Sequence, residues 1–270
     1  MATLTALTSG RAAAGLAVRD IGADDLKAAL RAGFDDFLAM PTHVVFISLM
    51  YPLIGLVLAT LSFGNDVLPL LFPLASGFAL IGPFAAVGLY ELSRRRQLGQ
   101  STGWNAAFRD LARRDAGALL AIGGLLGAIF LAWIVVADAL YAGIYGAAAP
   151  GASPGAAPGG ILAFAADVLT TPRGWALIVI GNLVGFAFSL LALALSIVSV
   201  PLIVDRHVDA LTAVATSVAA FRRNPRTLLG WGVLVAAVLV AGTLPLFVGL
   251  AVAMPILGHA TWHLYRRIVA

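Results

Sequence analysis

The sequence predicts an all-α polytopic membrane protein with six transmembrane helices, arranged as three hairpins that are each preceded by an amphipathic interfacial helix. Of the 270 residues, 61% are apolar and 11% are charged, against about 45–50% and 25% in soluble domains. A soluble domain of this size could not bury so much apolar surface. The apolar residues form long runs, and the basic residues lie between these runs. The composition excludes an ordinary soluble enzyme and a disordered chain.

The apolar runs have lengths near the 20 residues that a bilayer-spanning helix requires. The predicted spans are residues 43–63, 67–91, 117–141, 174–203 and the two halves of 227–265. As a single helix, the last run would measure about 58 Å, roughly twice the hydrocarbon core. We therefore divide it near Gly242 and Pro245. Because the halves are short, a re-entrant pair of helices is the alternative.

The distribution of basic residues predicts the orientation. With six spans, every lysine and arginine except Arg173 falls on one side of the membrane. Cytoplasmic loops carry the excess of such residues, so this side is predicted to be the cytoplasm and to hold both termini. Five spans would place Arg266 and Arg267 outside, which also favours dividing the last run.

The chain is predicted to contain a threefold internal repeat. We expect residues 1–20 to form a mobile tail and residues 21–270 to form one membrane domain, with repeat units at about 24–96, 101–206 and 208–268. The sequence Ala-Ala-Phe-Arg occurs at residues 106–109 and again at 219–222. A Gly- and Pro-rich external loop, residues 146–172, interrupts the central unit.

The interfacial helices are the candidate lipid-binding elements. Each has an apolar stripe at helical spacing, and arginines next to the membrane surface attract anionic head groups. The alternative, compatible with the first, is that these helices pack against the spans as a cytoplasmic collar. The predicted lipid-binding residues are Arg94, Arg95, Arg96, Arg109, Arg113, Arg222, Arg223, Arg266 and Arg267.

Histidines are the candidate metal ligands. His259 and His263 are four residues apart, which places them on one helical face, and His43 is predicted to lie on the same side of the membrane. Such a set could ligate a metal or a haem. The alternative is an interfacial belt formed with Trp262 and Tyr265. Our main prediction is that the protein has no cofactor, and the absence of cysteine excludes thiolate ligands.

No catalytic residues are predicted. The sequence contains no P-loop, nucleophile elbow, H-E-x-x-H motif or paired carboxylates. We expect a non-enzymatic protein that binds anionic lipids or a membrane-protein partner, which could be a second copy of the chain, and we expect no nucleic-acid partner. A channel or carrier for a small solute is one alternative, suggested by the repeat. An accessory or assembly factor for a respiratory haem or metal complex is another.

Several motifs resemble an uncharacterised family of bacterial integral membrane proteins. They are Leu-x-Ala-Gly-Phe-x-Asp-Phe at residues 30–37, Gly-Leu-Tyr-Glu at 88–91, and the segment 255–267, which contains His-Ala-x-Trp-His. The likeness covers about residues 20–268, apart from the Gly- and Pro-rich insertion, and implies a multi-pass protein of the bacterial inner membrane with no established activity. Some members carry the label cytochrome c oxidase subunit I. A haem–copper catalytic subunit has twelve spans and six histidine ligands, so this chain does not match that label.

Overall fold

The computed structural model describes residues 16–40, 86–114, 116–146, 160–244 and 249–269, together with Gly55, Pro73, Leu74, Gly82 and Pro83. Within these residues the regular structure is α-helical, apart from one isolated bridge between Val18 and Val269. The helices are α1 Ala23–Ala39, α2 Val87–Gln97, α3 Trp104–Arg114, α4 Ala116–Tyr145, α5 Gly160–Thr170, α6 Pro172–Ser196, α7 Ser199–Arg206, α8 Ala210–Arg223, α9 Pro225–Thr243 and α10 Leu250–Ile268.

Among the described residues, three stretches are long and apolar enough to cross a membrane: Ala116–Tyr145, Pro172–Arg206 and Pro225–Thr243. They coincide with the third, fourth and fifth predicted spans. The first predicted span and most of the second lie outside the described residues. The predicted break in the last run is confirmed, because α9 ends at Thr243 and α10 begins at Leu250. The six-span arrangement is not confirmed.

The sixth predicted span corresponds to α10, and this helix is not among the three candidate spans. It combines apolar residues with His259, His263, Arg266 and Arg267, which lower its mean hydropathy. It packs against α1, α2, α7 and α9. Its buried side chains include the large Trp262 and Tyr265. Helix α10 is therefore largely surrounded by other helices of the protein.

The described residues divide into two compact units. The first takes those of 16–40, 82–125 and 193–269, and the second takes those of 126–192 with Gly55, Pro73 and Leu74. In the second unit, Trp133 donates from Nε1 to the carbonyl oxygen of Pro73 at 2.9 Å. Its ring packs against Phe188 with a centroid distance of 5.6 Å. A Cβ at Gly185 would lie 3.0 Å from the Trp133 ring. This indole therefore packs closely against α6.

Part of the predicted N-terminal tail belongs to the first unit. Val18 bridges Val269 near the end of the chain, and the Arg19 amide donates to the carbonyl oxygen of Ile268 at 2.8 Å. The side chain of Asn224, between α8 and α9, accepts from the Ile21 amide at 2.9 Å. Residues 18–21 therefore contact other parts of the first unit through their backbone. Residues 1–15 lie outside the described residues.

Candidate functional site

A buried carboxylate lies where α1, α2 and α10 meet. Asp36 is 4% exposed. Its Oδ2 accepts hydrogen bonds from Ser93 Oγ at 2.5 Å and from His263 Nε2 at 2.9 Å. Its Oδ1 pairs with the guanidinium of Arg96. Ser93 Oγ also lies 2.7 Å from Nδ1 of His259. One side chain of α1 thus joins side chains of α2 and α10, and we name these five residues the Asp36 cluster.

Hydrogen-bond chemistry assigns the protons of the Asp36 cluster. An ionised carboxylate only accepts, so Ser93 and His263 both donate to Asp36. Since the Ser93 hydroxyl has a single proton, it accepts from Nδ1 of His259. A neutral His263 ring then accepts at Nδ1 from Gln97 Nε2, 3.2 Å away. This arrangement leaves His259 Nε2 as an acceptor, and that buried atom has no partner within the described residues.

The cluster stabilises the ionised form of Asp36. Burial acts to raise the pKa of a carboxyl group, because the charged form loses its hydration. The hydrogen bonds from His263 and Ser93 outweigh this effect and hold the pKa of Asp36 below its usual value. Asp36 is therefore charged at neutral pH and provides the counter-charge for Arg96.

Two glycines allow the helices of the cluster to approach closely. A Cβ at Gly33 of α1 would lie 2.5 Å from the backbone nitrogen of Ala260 in α10. A Cβ at Gly258 would lie 2.5 Å from Cδ1 of Leu89 in α2. At Gly33 the obstacle is backbone, which cannot rotate away as a side chain can. A residue without a side chain is therefore required there.

The Asp36 cluster is not arranged as a nucleophilic triad. In such a triad the serine donates to an imidazole, which the carboxylate orients from its other side. Here Ser93 donates to Asp36 directly. Ser93 and His259 also have no exposed surface. The cluster instead holds three helices in register through paired polar groups.

Carboxylates within the protein pair with six of the nine arginines predicted to bind lipid. The pairs are Arg94 and Arg95 with Glu91, Arg95 also with Asp110, Arg96 with Asp36, Arg223 with Asp20, Arg266 with Asp205, and Arg267 with Asp25. Glu91, which joins two of them, is 1% exposed. These six arginines contribute to contacts within the fold.

Two of the remaining arginines are free to meet a ligand. Arg109 on α3 and Arg222 on α8 are exposed, and neither forms an ion pair with any residue that the structure describes. They occupy the same position in the repeated sequence Ala-Ala-Phe-Arg. The side chain of Arg113 lies outside the described part of the structure. Of the eight predicted lipid-binding arginines whose side chains are described, six therefore have a carboxylate partner, and Arg109 and Arg222 have none among the described residues.

The structure places two of the three predicted metal-ligating histidines in the Asp36 cluster. The near nitrogens of His259 and His263 contact Ser93 and Asp36, and His43 lies outside the described residues. Where the chain is described, no group of three His, Cys, Asp or Glu side chains is arranged to hold a metal ion. A metal or haem site that includes these histidines stays a prediction.

Asp36 and Ser93 are not among the predicted site residues, although Asp36 is the aspartate of the motif at residues 30–37. Asp36 follows Ala29 and Gly33 at helical spacing, and all three lie on the buried face of α1. A carboxylate on the same helical face as small residues indicates a buried polar contact, because small residues leave room for a neighbouring helix to pack closely. Ser93 has no comparable signal, since it lies among charged residues that suggest solvent.

Among the described residues, three apolar helical stretches are long enough to span a bilayer, and the regular structure there is helical, which defines an integral membrane protein of the all-α class. The family described as "Predicted integral membrane protein (DUF2189)" matches residues 70–205. The chain belongs to this family, whose function is unknown, and this confirms the resemblance found in the sequence. Comparison with curated proteins and with solved structures gave no match.

Proposed function

We propose that the chain is a non-enzymatic protein of the bacterial inner membrane that binds anionic phospholipids through Arg109 and Arg222. The observation that carries this proposal is the contrast between these two exposed, unpaired arginines and the six paired ones. A paired guanidinium has its counter-charge already, whereas a free one attracts anionic head groups by about 1 kcal/mol when it lies near the membrane surface.

The exposed face of α8 suits a position at the membrane interface. Leu211 is 80% exposed, and Arg222 follows it by eleven residues, which is about three helical turns. The two side chains therefore share one face of the helix. The opposite face packs against the protein through small residues that include Ala213, Ser217 and Ala220. With an exposed leucine and an arginine on one face, the helix can insert the leucine into the membrane and place the arginine near the lipid phosphates.

Helix α1 has the same division of faces. Lys27, Arg31, Phe34 and Leu38 follow one another at spacings of four, three and four residues and share one exposed face. Phe34 is 46% exposed and Leu38 is 58% exposed. The other face carries Asp36 and packs against α10. One face of α1 thus packs against the protein, as a cytoplasmic collar would, and the opposite face is free to contact lipid.

Replacing Arg109 and Arg222 together by glutamine should weaken the binding of anionic phospholipid. Each arginine is worth about 1 kcal/mol, so we expect about a fivefold loss of affinity for each one removed. The measurement is native mass spectrometry of the full chain in mild detergent, with titration of phosphatidylglycerol. Phosphatidylcholine serves as the lipid without net charge.

The matched control is Arg223→Gln. Arg223 is the neighbour of Arg222 on α8 and is also exposed, but it pairs with Asp20 through Nε at 2.8 Å and Nη2 at 2.7 Å. Its loss should leave the affinity for phosphatidylglycerol near that of the wild type. Equal affinities for the double variant and the wild type would contradict the proposal, and so would an equally large loss in the control.

We further propose that both termini and the arginine-rich segments face the cytoplasm. The chain has no cysteine, so single introduced cysteines report unambiguously. Cysteine at Gln100 should react with a membrane-impermeant maleimide only after the cells are permeabilised, whereas cysteine at Ser153 should react in intact cells. The spanning helix α4 separates the two positions along the chain. The reverse labelling pattern would overturn the proposed orientation.

A further inference from the structure

The candidate span Pro172–Arg206 is interrupted near its end. Helix α6 ends at Ser196 and α7 begins at Ser199, and Ile197 and Val198 lie in the turn between them. The 25 residues of α6 measure about 38 Å, which exceeds the hydrocarbon core of a bilayer. A helix that starts at one membrane surface therefore reaches the other surface before the break.

The hydroxyl group of Ser217, on α8, lies in this break. In a continuous helix the Val198 amide would donate to the carbonyl oxygen of Ala194, four residues earlier. Instead the Val198 amide donates to Ser217 Oγ at 3.2 Å, and Ser217 Oγ donates to the carbonyl oxygen of Ala194 at 2.8 Å. One hydroxyl thus stands between the donor and the acceptor of a helical hydrogen bond, which is a known cause of helix kinks.

The backbone on both sides of the break stays helical. The Ile197 amide keeps its bond to the carbonyl oxygen four residues earlier at 3.0 Å, and the Leu202 amide donates to the carbonyl oxygen of Val198 at 2.9 Å. Pro201 weakens the helix at this point, because it has no N–H for the carbonyl of Ile197 and its ring crowds that carbonyl. The interrupted bond can therefore form again once the inserted hydroxyl leaves.

Helices α7 and α8 differ in how firmly the protein holds them. Helix α7 is surrounded by other helices, and Val200 and Leu202 have no exposed surface. Helix α8 is covered on one face only, and its other face, with Leu211 and Arg222, is exposed. A contact that pulls on this exposed face therefore moves α8, and with it Ser217, while α7 stays in place.

We propose that this break is a hinge that α8 controls. While the Ser217 hydroxyl lies between Ala194 and Val198, the hinge is open. When α8 moves away, the Val198 amide donates directly to Ala194, and α6 and α7 become one continuous helix. Lipid binding at Arg222 is the event that draws α8 away, because Arg222 lies on the exposed face and Ser217 on the buried one. This last step rests on the proposed function, whereas the hinge itself does not.

Spin labels on either side of the break measure the state of the hinge. Because the chain has no cysteine, cysteines introduced at the exposed positions Leu191 and Arg206 can be labelled specifically. In a continuous helix the two Cα atoms would be about 22 Å apart. In the full chain in mild detergent, Ser217→Ala should shift the measured distance toward this value by about 3 Å, two residues of helical rise. Pro201→Ala restores an N–H and should shift the distance in the same direction.

Thr216→Ala is the matched control. Thr216 is the buried neighbour of Ser217, and its hydroxyl donates within α8, to the carbonyl oxygen of Thr212 at 2.8 Å. This variant should keep the wild-type distance. Equal distances in the wild type, Ser217→Ala and Pro201→Ala overturn the hinge, and so does an equally large shift in the control.

Phosphatidylglycerol tests the control of the hinge by lipid. Added to the labelled wild type, it should shift the distance in the same direction as Ser217→Ala, and Arg222→Gln should abolish this shift. Native mass spectrometry of the same samples counts the bound lipid. Bound phosphatidylglycerol without a change in distance overturns the control by lipid. Absence of bound phosphatidylglycerol contradicts the proposed function and the lipid step with it, but not a hinge that Ser217→Ala has closed.

Discussion

Replacing Gly33 by alanine is expected to destabilise the first unit by about 3 kcal/mol, which is at the upper end of the usual cost of overpacking. The new methyl group would meet the backbone of Ala260 at 2.5–2.7 Å. Helix α1 or α10 would have to shift, and that shift would also lengthen the hydrogen bonds of Asp36. The measurement is unfolding in mixed detergent micelles, followed by tryptophan fluorescence.

Gly230→Ala is the control for this prediction. Gly230 lies within α9, and a Cβ there would meet nothing within 4 Å. Alanine favours a helix over glycine by about 1 kcal/mol, so the control should be as stable as the wild type or more stable. If Gly33→Ala were as stable as Gly230→Ala, the close approach of α1 to α10 would be wrong.

Replacing Asp36 by alanine is expected to cost about 1–3 kcal/mol, the usual cost of leaving buried hydrogen-bond donors without their acceptor. The substitution leaves Arg96 without its carboxylate and leaves Ser93 and His263 without their common acceptor. Asp35 provides the control, since it is the adjacent residue and is exposed. Asp35→Ala should change the free energy of unfolding by less than about 0.5 kcal/mol. Similar losses in both variants would contradict the role assigned to Asp36.

The contribution of Asp36 should also depend on pH. Its pKa is lower in the folded protein than the ordinary value of 3.8. The stabilisation is therefore present in full above that value and is lost as the pH falls through the folded pKa. Unfolding of the wild type and of Asp36→Asn should differ most at neutral pH. The difference should shrink below pH 3.8, and a difference that grew on acidification would contradict the shift.

The membrane-spanning helices could be predicted largely from local sequence. Helix α4 is a run of 30 residues with few polar groups, and length with hydropathy suffices to identify such a helix. The end of α9 could be predicted as well, because Gly242 and Pro245 interrupt an apolar run that is too long for one span. Both features depend on residues close together in the chain.

The packing of α10 could not be predicted in the same way. Its apolar residues resemble those of a span, yet Trp262 and Leu264 are buried by protein. The length of an apolar run does not distinguish a helix that faces lipid from one that faces other helices. The contacts of the Asp36 cluster could not be predicted from local sequence either, because Asp36 and His263 are separated by 227 residues.

The number and positions of basic residues in the sequence do not show which of them have a carboxylate partner in the fold. The bias of basic residues marks a side of the membrane, but it takes no account of the carboxylates that lie next to them. Glu91 and Asp205 each contact two arginines, and only the folded structure brings Asp205 to Arg266. Six of the nine arginines predicted to bind lipid thus have a carboxylate partner that the sequence does not reveal.

The packing of α1 against α10 has a consequence for synthesis of the chain. Ribosomes add about 5–20 residues per second, so α10 is completed roughly ten to fifty seconds after α1. Throughout that interval the Gly33 face of α1 lacks its neighbour α10, and Asp36 lacks its hydrogen bond from His263. A nascent or truncated chain that ends before Leu250 cannot close the first unit. Such chains should be preferred targets for membrane proteases, and completion of the nineteen-residue helix α10 should make the first unit resistant.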